Sequence, residues 1–283
     1  MIYPQDPYLP HEAEIVEFIE DAPDIFTIRL RLTDEILRKA YRFQPGQFNM
    51  IYLYGVGEVA ISIVNDRKFD EEVFEHTIQV VGRVTKGMHQ LKKGQTVGIR
   101  GPFGSSWPVE EARGKDVVIM TGGLGNAPLV AATETMLKNR EAYGRIYVVQ
   151  GVRHSRGLIY QDKYTRWNNV PDTKVIITAT EGESFGPWKW YQGFVTEAVK
   201  DLVLDYQNTY VMSVGPEIMM KNVARRFIDI GVPEHQIFVS LERSMKCAIG
   251  HCGHCQMGKE FICKDGAVYA YPQVEKLLDI KGV

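Results

Sequence analysis

All four cysteines of this 283-residue chain fall in one stretch, LERSMKCAIGHCGHCQMGKEFICKDG, at Cys247, Cys252, Cys255 and Cys263. Thiolates are soft metal ligands, so crowding every thiol into one segment points to a metal or cluster site. The spacing is C-x4-C-x2-C-x7-C. A C-x4-C-x2-C run with a distant fourth cysteine is the pattern by which a loop wraps a plant-type [2Fe–2S] cluster, its amides donating to the sulfurs. Gly250 and Gly253 would let the backbone take that path. Structural zinc competes, although its usual arrangement is two close pairs divided by a longer spacer. His251 and His254 stand among the thiols, but four thiolates suffice as ligands. Ligation by two cysteines and two histidines would leave two thiols unexplained, so the histidines are expected at the surface or as hydrogen-bond donors around the site.

Two further stretches could bind an anion. VVIMTGGLGNAPLVAA carries Gly122, Gly123 and Gly125 after an apolar strand-like run and before a helix-like one. In that setting glycines let backbone amides approach a pyrophosphate, and the helix start adds partial positive charge. Ala127-Pro128 replaces the third glycine of the usual dinucleotide pattern, and proline suits the first helical position. A tight strand-to-helix turn would account for the same glycines. SVGPEIMM repeats the arrangement at Gly215 and Pro216. Two such turns at the carboxyl ends of parallel strands would frame a crevice. The strand that follows the first of these helices ends in QGVRHSRG, where Arg153, Ser155 and Arg156 replace the acidic residue that would read a ribose 2′-hydroxyl. Cationic and hydroxyl groups there suit a 2′-phosphate, which leans the reading towards NADPH, with a solvated loop as the alternative.

These segments need elements to hold them. From Ala13 to about Gly101 short, turn-bounded apolar runs rich in β-branched residues, with alternation in FTIRLRL, predict antiparallel strands closing into a barrel. One or two helical turns are expected around GMHQLKKG. Gly82 and Thr85, at the end of a predicted strand, could offer amides and a hydroxyl to an anion, and equally could form an ordinary barrel turn. Beyond Ser106–Lys115 the texture becomes strand then helix, repeated, which predicts a parallel sheet covered by helices. The boundaries read as 1–107 for the barrel, 108–240 for the α/β domain and 241–283 for a small cysteine lobe. Lysine plus arginine number 33 against 35 acidic residues, with no basic run, which sets nucleic acid aside. No stretch is long and apolar enough for a membrane span, and the N-terminus has no basic and apolar leader, so a cytoplasmic protein is expected.

Taken in order, PGQF, AISIVN, GRVTKGMHQLKKGQTVGIRGPFG, TGGLGNAPL, SVGPEIMM and LERSMKCAIGHCGHC followed by CKDGAVY resemble the ferredoxin–NADP reductase superfamily, in the branch with an iron–sulfur lobe. Within it the chain most resembles the flavin-containing γ subunits of cytoplasmic sulfhydrogenases. The B subunit of anaerobic sulfite reductase and the electron-transfer subunit of dihydroorotate dehydrogenase are more distant cousins. The resemblance implies FAD on the barrel, with Ala60, Ile61, Ser62 and Ile63 beside the isoalloxazine and Ser62 at its reactive N5. It implies Gly82, Arg83, Val84 and Thr85 at the FAD pyrophosphate. NAD(P)H would lie over Gly122, Gly123, Leu124, Gly125, Ala127 and Pro128, with Gly215, Pro216 and Glu217 near the nicotinamide. The superfamily's arginine-x-tyrosine-serine motif is replaced here by Val59-Ala60-Ile61-Ser62. The implied activity is hydride exchange between NAD(P)H and FAD, then single electrons through the cluster to a redox partner subunit of a hydrogenase-type or reductase-type complex. A zinc-stapled, non-catalytic regulatory protein is the contrasting expectation.

Overall fold

The computed structural model describes residues 6–65, 72–278 and 280. The chain forms two compact units, each described by itself: residues up to Ser106 together with Glu242–Ala267, and Trp107–Leu241 with the residues from Val268 onward. The stretch 241–283, read from sequence as one lobe, is thus shared between them.

The first unit is a barrel-like antiparallel sheet of β1 (His11–Ala22), β2 (Ile25–Leu32), β3 (Phe48–Leu53), β4 (Gly57–Ser62), β5 (Phe74–Gln79) and β6 (Thr96–Phe103), in the order β4-β3-β6-β1-β2-β5. The alternation in β2 is expressed as expected: Phe26, Ile28, Leu30 and Leu32 enter the core, while Arg29 and Arg31 point out to Glu17, Glu75 and Glu14. Short helices α1 (Glu35–Ala40) and α2 (Arg83–Met88) interrupt the strands. The helix expected around GMHQLKKG begins earlier, at Arg83, because Thr85 closes its first turn: its hydroxyl accepts from the amides of Val81 and Gly82, both at 3.0 Å.

Chain just beyond β4 meets β5 across the remaining seam. The Val64 amide donates to the Glu75 carbonyl at 3.0 Å, and His76 Nδ1 lies 2.8 Å from the Ser62 carbonyl. His76 is fully buried, and its Nε2 lies 3.1 Å from Asn49 Nδ2. Asn49 Oδ1 in turn accepts from the Tyr41 hydroxyl at 2.7 Å. An amide donor at Nε2 and a carbonyl acceptor at Nδ1 require a neutral ring protonated at Nδ1.

The second unit carries a sheet of β7 (Asp116–Gly122), β8 (Ile146–His154), β9 (Thr173–Glu181), β10 (Lys189–Gln192), β11 (Thr209–Val214) and β12 (Ile237–Ser240). Helices α3 (Ala127–Lys138), α4 (Gln161–Asn168) and α5 (Glu217–Asp229) follow β7, β8 and β11. The segment FVTEAVKDL, expected as an amphipathic α-helix, is a 3-10 stretch over Val195–Asp201. Its β-branched residues and short length disfavour the wider helix. In the cysteine region β13 (Gln256–Met257), β14 (Glu260–Phe261) and α6 (Ile262–Asp265) belong to the first unit, whereas β15 (Val268–Ala270) and α7 (Tyr271–Leu278) belong to the second. The second sheet runs β10-β9-β8-β7-β11-β12-β15, parallel except where β15 pairs antiparallel with β12. Its order reverses between β7 and β11, which makes a topological switch point. Among the described residues no helix is long and apolar enough to cross a membrane.

Burial holds the pKa of His76 down to about 4, against hydrogen bonds to the backbone of Ser62 and Ile61. A histidine whose folded pKa is depressed stabilises the fold above its unfolded value and loses that contribution as pH falls towards the folded value. Acidifying from pH 7.5 to 5 is therefore expected to cost about 2 kcal/mol of stability through this residue alone. Denaturant titrations of wild type and His76→Gln at both pH values check this: the pH-dependent loss should be smaller in the variant by about that amount.

Candidate functional site

A cavity of about 630 Å³ opens at the carboxyl ends of the parallel strands, at the switch point. Gly122 at the end of β7 and Gly123 just beyond it line it, with Gly151 and Arg153 from β8, Thr178 and Thr180 from β9, Pro216 from the β11–α5 turn and Met219 from the first turn of α5. Gly125 and Gly151 are required by close approach. A Cβ on Gly125 would lie 2.6 Å from the Val214 carbonyl oxygen, and one on Gly151 would lie 2.5 Å from Val195 Cγ1. Gly123 to Asn126 form a single 3-10 turn, and Pro128 sits in the first turn of α3.

A buried polar chain supports that turn. Thr121 Oγ1 donates to Gln150 Oε1 at 2.5 Å, and Gln150 Nε2 donates to the Gly123 carbonyl at 3.0 Å. The Tyr164 hydroxyl donates to Gln150 Oε1 at 3.1 Å and accepts from Asn126 Nδ2 at 2.8 Å. Gln150 thereby fixes the loop through its backbone, leaving the loop's outer face to a ligand.

The predicted nucleotide residues separate into groups. Gly122, Gly123 and Pro216 line the cavity, while Gly125, Ala127 and Pro128 shape the turn behind it. Leu124 lies within that turn, and Gly215 closes against Met219, whose Cε would be 2.6 Å from a Cβ there. Glu217 opens α5 and is exposed. Arg153 reaches the lining and pairs with Glu181 at 3.3 Å, but Ser155 is buried and Arg156 exposed, and neither lines the cavity. Sequence reasoning missed Gly151 and Thr178, because their roles depend on which strands become neighbours.

In the barrel unit, β4 contains no fully buried residue, unlike the other barrel strands. Ala60, Ile61 and Ser62 are half-buried along it, and Ile63 turns into the core. Such a strand can be covered by a flat group. Gly82 precedes α2, Arg83 and Val84 form its first turn, and Arg83 Nη2 donates to the Val56 carbonyl at 2.7 Å. Thr85 is buried, and its hydroxyl is taken up by the turn itself rather than presented to a ligand.

The cysteine segment winds tightly: Ala248, Gly250 and Gly253 have φ of 64°, 75° and 74°. At Gly250 the turn also presses against Lys264, whose Cδ would lie 2.9 Å from a Cβ. Cys247, Cys255 and Cys263 are buried and Cys252 is exposed. Backbone amides already point at sulfur: His251 and Cys252 donate to Cys247 Sγ at 3.3 and 3.5 Å, and Cys263 donates to Cys255 Sγ at 3.4 Å. Burial opposes ionisation of Cys247, but the amides of Ile249, Cys252 and His251 outweigh it and bring the thiol down to about 6. Cys263, desolvated and beside Cys255, is pushed up to about 12. Among the described residues no three His, Cys, Asp or Glu side chains are grouped to hold a metal ion. Four thiols in one short segment, with amides aimed at sulfur, fit an iron–sulfur cluster.

One lining atom is unsatisfied. Thr178 is fully buried, and its hydroxyl has no hydrogen-bond partner among the described residues. A nicotinamide dinucleotide in the cavity would give it one. Thr178→Val should leave the stability of the ligand-free protein unchanged or raise it by up to about 1 kcal/mol, and should weaken nucleotide binding about three- to tenfold. Thermal unfolding and calorimetric titration with NADPH and NADH measure both, and an unchanged affinity would place the nucleotide elsewhere.

The oxidoreductase NAD-binding domain family matches residues 119–225, and the iron–sulfur cluster binding domain of dihydroorotate dehydrogenase B matches residues 242–275. The second match sets the zinc expectation aside. Sulfhydrogenase 1 subunit gamma of Pyrococcus furiosus is 34% identical over 279 residues, covering 96% of this chain and 94% of that protein. A probable dihydroorotate dehydrogenase B electron-transfer subunit of Methanocaldococcus jannaschii is 32% identical, covering 92% of this chain and 89% of that protein. Among solved structures, a chain of the NADH-dependent reduced ferredoxin–NADP oxidoreductase superposes with a TM-score of 0.72 at 26% identity, covering 95% of this chain and 94% of that one. With its barrel-like sheet, NAD-binding domain and iron–sulfur segment in one chain, the protein belongs to the ferredoxin–NADP reductase superfamily, as an oxidoreductase of the iron–sulfur branch that includes the sulfhydrogenase γ and dihydroorotate dehydrogenase electron-transfer subunits.

Proposed function

We propose that this chain is the diaphorase-type subunit of a larger cytoplasmic redox complex. It exchanges hydride between NAD(P)H and FAD held on the barrel, and passes single electrons through a [2Fe–2S] cluster to a partner subunit of the NiFe hydrogenase or sulfhydrogenase type. The observation that carries this reading is the gathering of all four cysteines into one segment of the barrel's own compact unit, with backbone amides donating to the sulfurs of Cys247 and Cys255.

When bound, the flavin and the cluster supply the conversion between electron pairs and single electrons; the chain's task is placement. The half-buried face of β4 offers Ala60, Ile61 and Ser62 to the isoalloxazine, with Ser62 the assigned hydrogen-bonding partner of N5. Gly82, Arg83, Val84 and Thr85 form the turn assigned to the FAD pyrophosphate, Thr85 by shaping it. In the other unit the Gly122–Pro128 segment and Gly215, Pro216 and Glu217 are assigned to the nicotinamide nucleotide. Cys247, Cys252, Cys255 and Cys263 would hold the cluster irons.

Arg153 gives the cavity lining a cation suited to a 2′-phosphate, and its pairing with Glu181 is too exposed to hold it away. Arg153→Ala is therefore expected to raise KM for NADPH about tenfold while changing KM for NADH less than about twofold. Steady-state reduction of an artificial dye by the anaerobic, cofactor-loaded protein measures this. Failure of that protein to reduce any dye with either nucleotide would sink the proposal.

A second reading keeps the chemistry and changes the partner. The match of residues 242–275 to the dihydroorotate dehydrogenase B iron–sulfur domain favours that dehydrogenase as the acceptor, with anaerobic sulfite reductase as a further candidate. Co-purification with hydrogenase-type subunits supports the first assignment, and recovery with a dihydroorotate-oxidising or sulfite-reducing subunit overturns it.

A further inference from the structure

Arg100, on β6, is buried inside the barrel unit, with 2% of its side chain exposed. A buried guanidinium must satisfy its donors and balance its charge. Nε and Nη2 form a fork with the Glu58 carboxylate at 2.8 to 3.0 Å. Nη1 donates to the carbonyls of Pro7 at 2.8 Å and of Cys247 at 3.1 Å. Nη2 also reaches the Lys246 carbonyl at 3.4 Å. The rings of Tyr8 and Phe103 lie 5.9 and 5.6 Å from the guanidinium carbon, and the Tyr8 hydroxyl meets His251 Nδ1 at 3.1 Å. One cation thus joins β4, the N-terminal segment and the first cysteine of the loop. Glu58 lies on the strand that ends in Ser62, so the same contact ties the cysteine loop to the strand assigned to the flavin.

We propose that Arg100, balanced by Glu58, is a positioning residue that seats the Cys247 loop on the barrel and raises the reduction potential of the cluster held there. The proposal rests on the cluster reading of the four cysteines. Reduction adds one electron and no proton, so the site becomes more negative by one charge, and a fixed cation beside a ligand's carbonyl favours that state. Glu58 opposes it less. Its side chain is 26% exposed, so solvent screens it more than it screens the guanidinium.

The test is an EPR-monitored potentiometric titration of the intact protein with dithionite as the electron source. The variants are Arg100→Gln, Arg100→Lys and Glu58→Gln. The midpoint potential is expected to move negative in Arg100→Gln and positive in Glu58→Gln, with the arginine shift larger. Arg100→Lys, which keeps the charge, should stay closer to wild type than Arg100→Gln. Packing alone would move the Gln variants in the same direction or leave both unchanged, and either result overturns the proposal. If Arg100→Gln fails to fold, Glu58→Gln decides: a positive shift supports the proposal, and no shift or a negative one overturns it. A wild-type protein that binds zinc and no iron contradicts the cluster reading itself and removes the basis for the proposal, a failure distinct from an iron-loaded protein whose potential does not respond.

Discussion

The segment Glu242–Ala267 has short strands, one short helix and three buried thiols, which is too little apolar surface to fold by itself. Its place in the protein depends on the buried fork between Arg100 and Glu58, whose remaining donors hold the carbonyls of Lys246 and Cys247. A guanidinium is suited to this because its donors point in fixed, divergent directions and its charge is weakly hydrated. The Gly266 carbonyl, accepting from the Ser105 amide at 2.5 Å, secures the other end of the segment against the end of β6. The loop between these anchors can then wind through its left-handed residues while keeping amides aimed at sulfur.

The nucleotide-binding unit answers a different constraint, the switch point of a parallel sheet. There the β7–α3 and β11–α5 turns pass so closely that a side chain at Gly125 would strike the backbone at Val214. Space for a ligand is made by removing side chains, and the shape of that space is held by Gln150 and Tyr164 from below. Rigidity beneath and openness above are what a site must offer to orient a nicotinamide repeatedly in one pose.

Much of this was legible in the sequence because it follows from local rules. Cysteine spacing, alternation in FTIRLRL and glycine–proline turns after apolar runs each need only neighbours in the chain. What was not legible depends on pairing at a distance. Arg100 and Glu58 are 42 residues apart, and Arg100 and Cys247 are 147 apart, so no motif contains them. Thr178 and Gly151 line the cavity only because β8 and β9 are neighbours at its edge. Thr85 read as a possible ligand hydroxyl, because sequence cannot show that the hydroxyl is already used by its own turn. Likewise, Glu242–Ala267 belongs to one unit and the residues from Val268 onward to the other, which a contiguous reading of 241–283 could not reveal.

Whether electrons pass from nucleotide through flavin to cluster is decided by an anaerobic titration of the purified, coloured protein with NADPH and then NADH, following flavin absorbance and the EPR signal of a reduced [2Fe–2S] centre together. Nucleotide is expected to bleach the flavin, and the cluster signal to grow with it, reaching one reduced cluster per chain. Flavin that bleaches while an intact cluster stays oxidised at excess nucleotide, or a protein carrying neither chromophore, would contradict it.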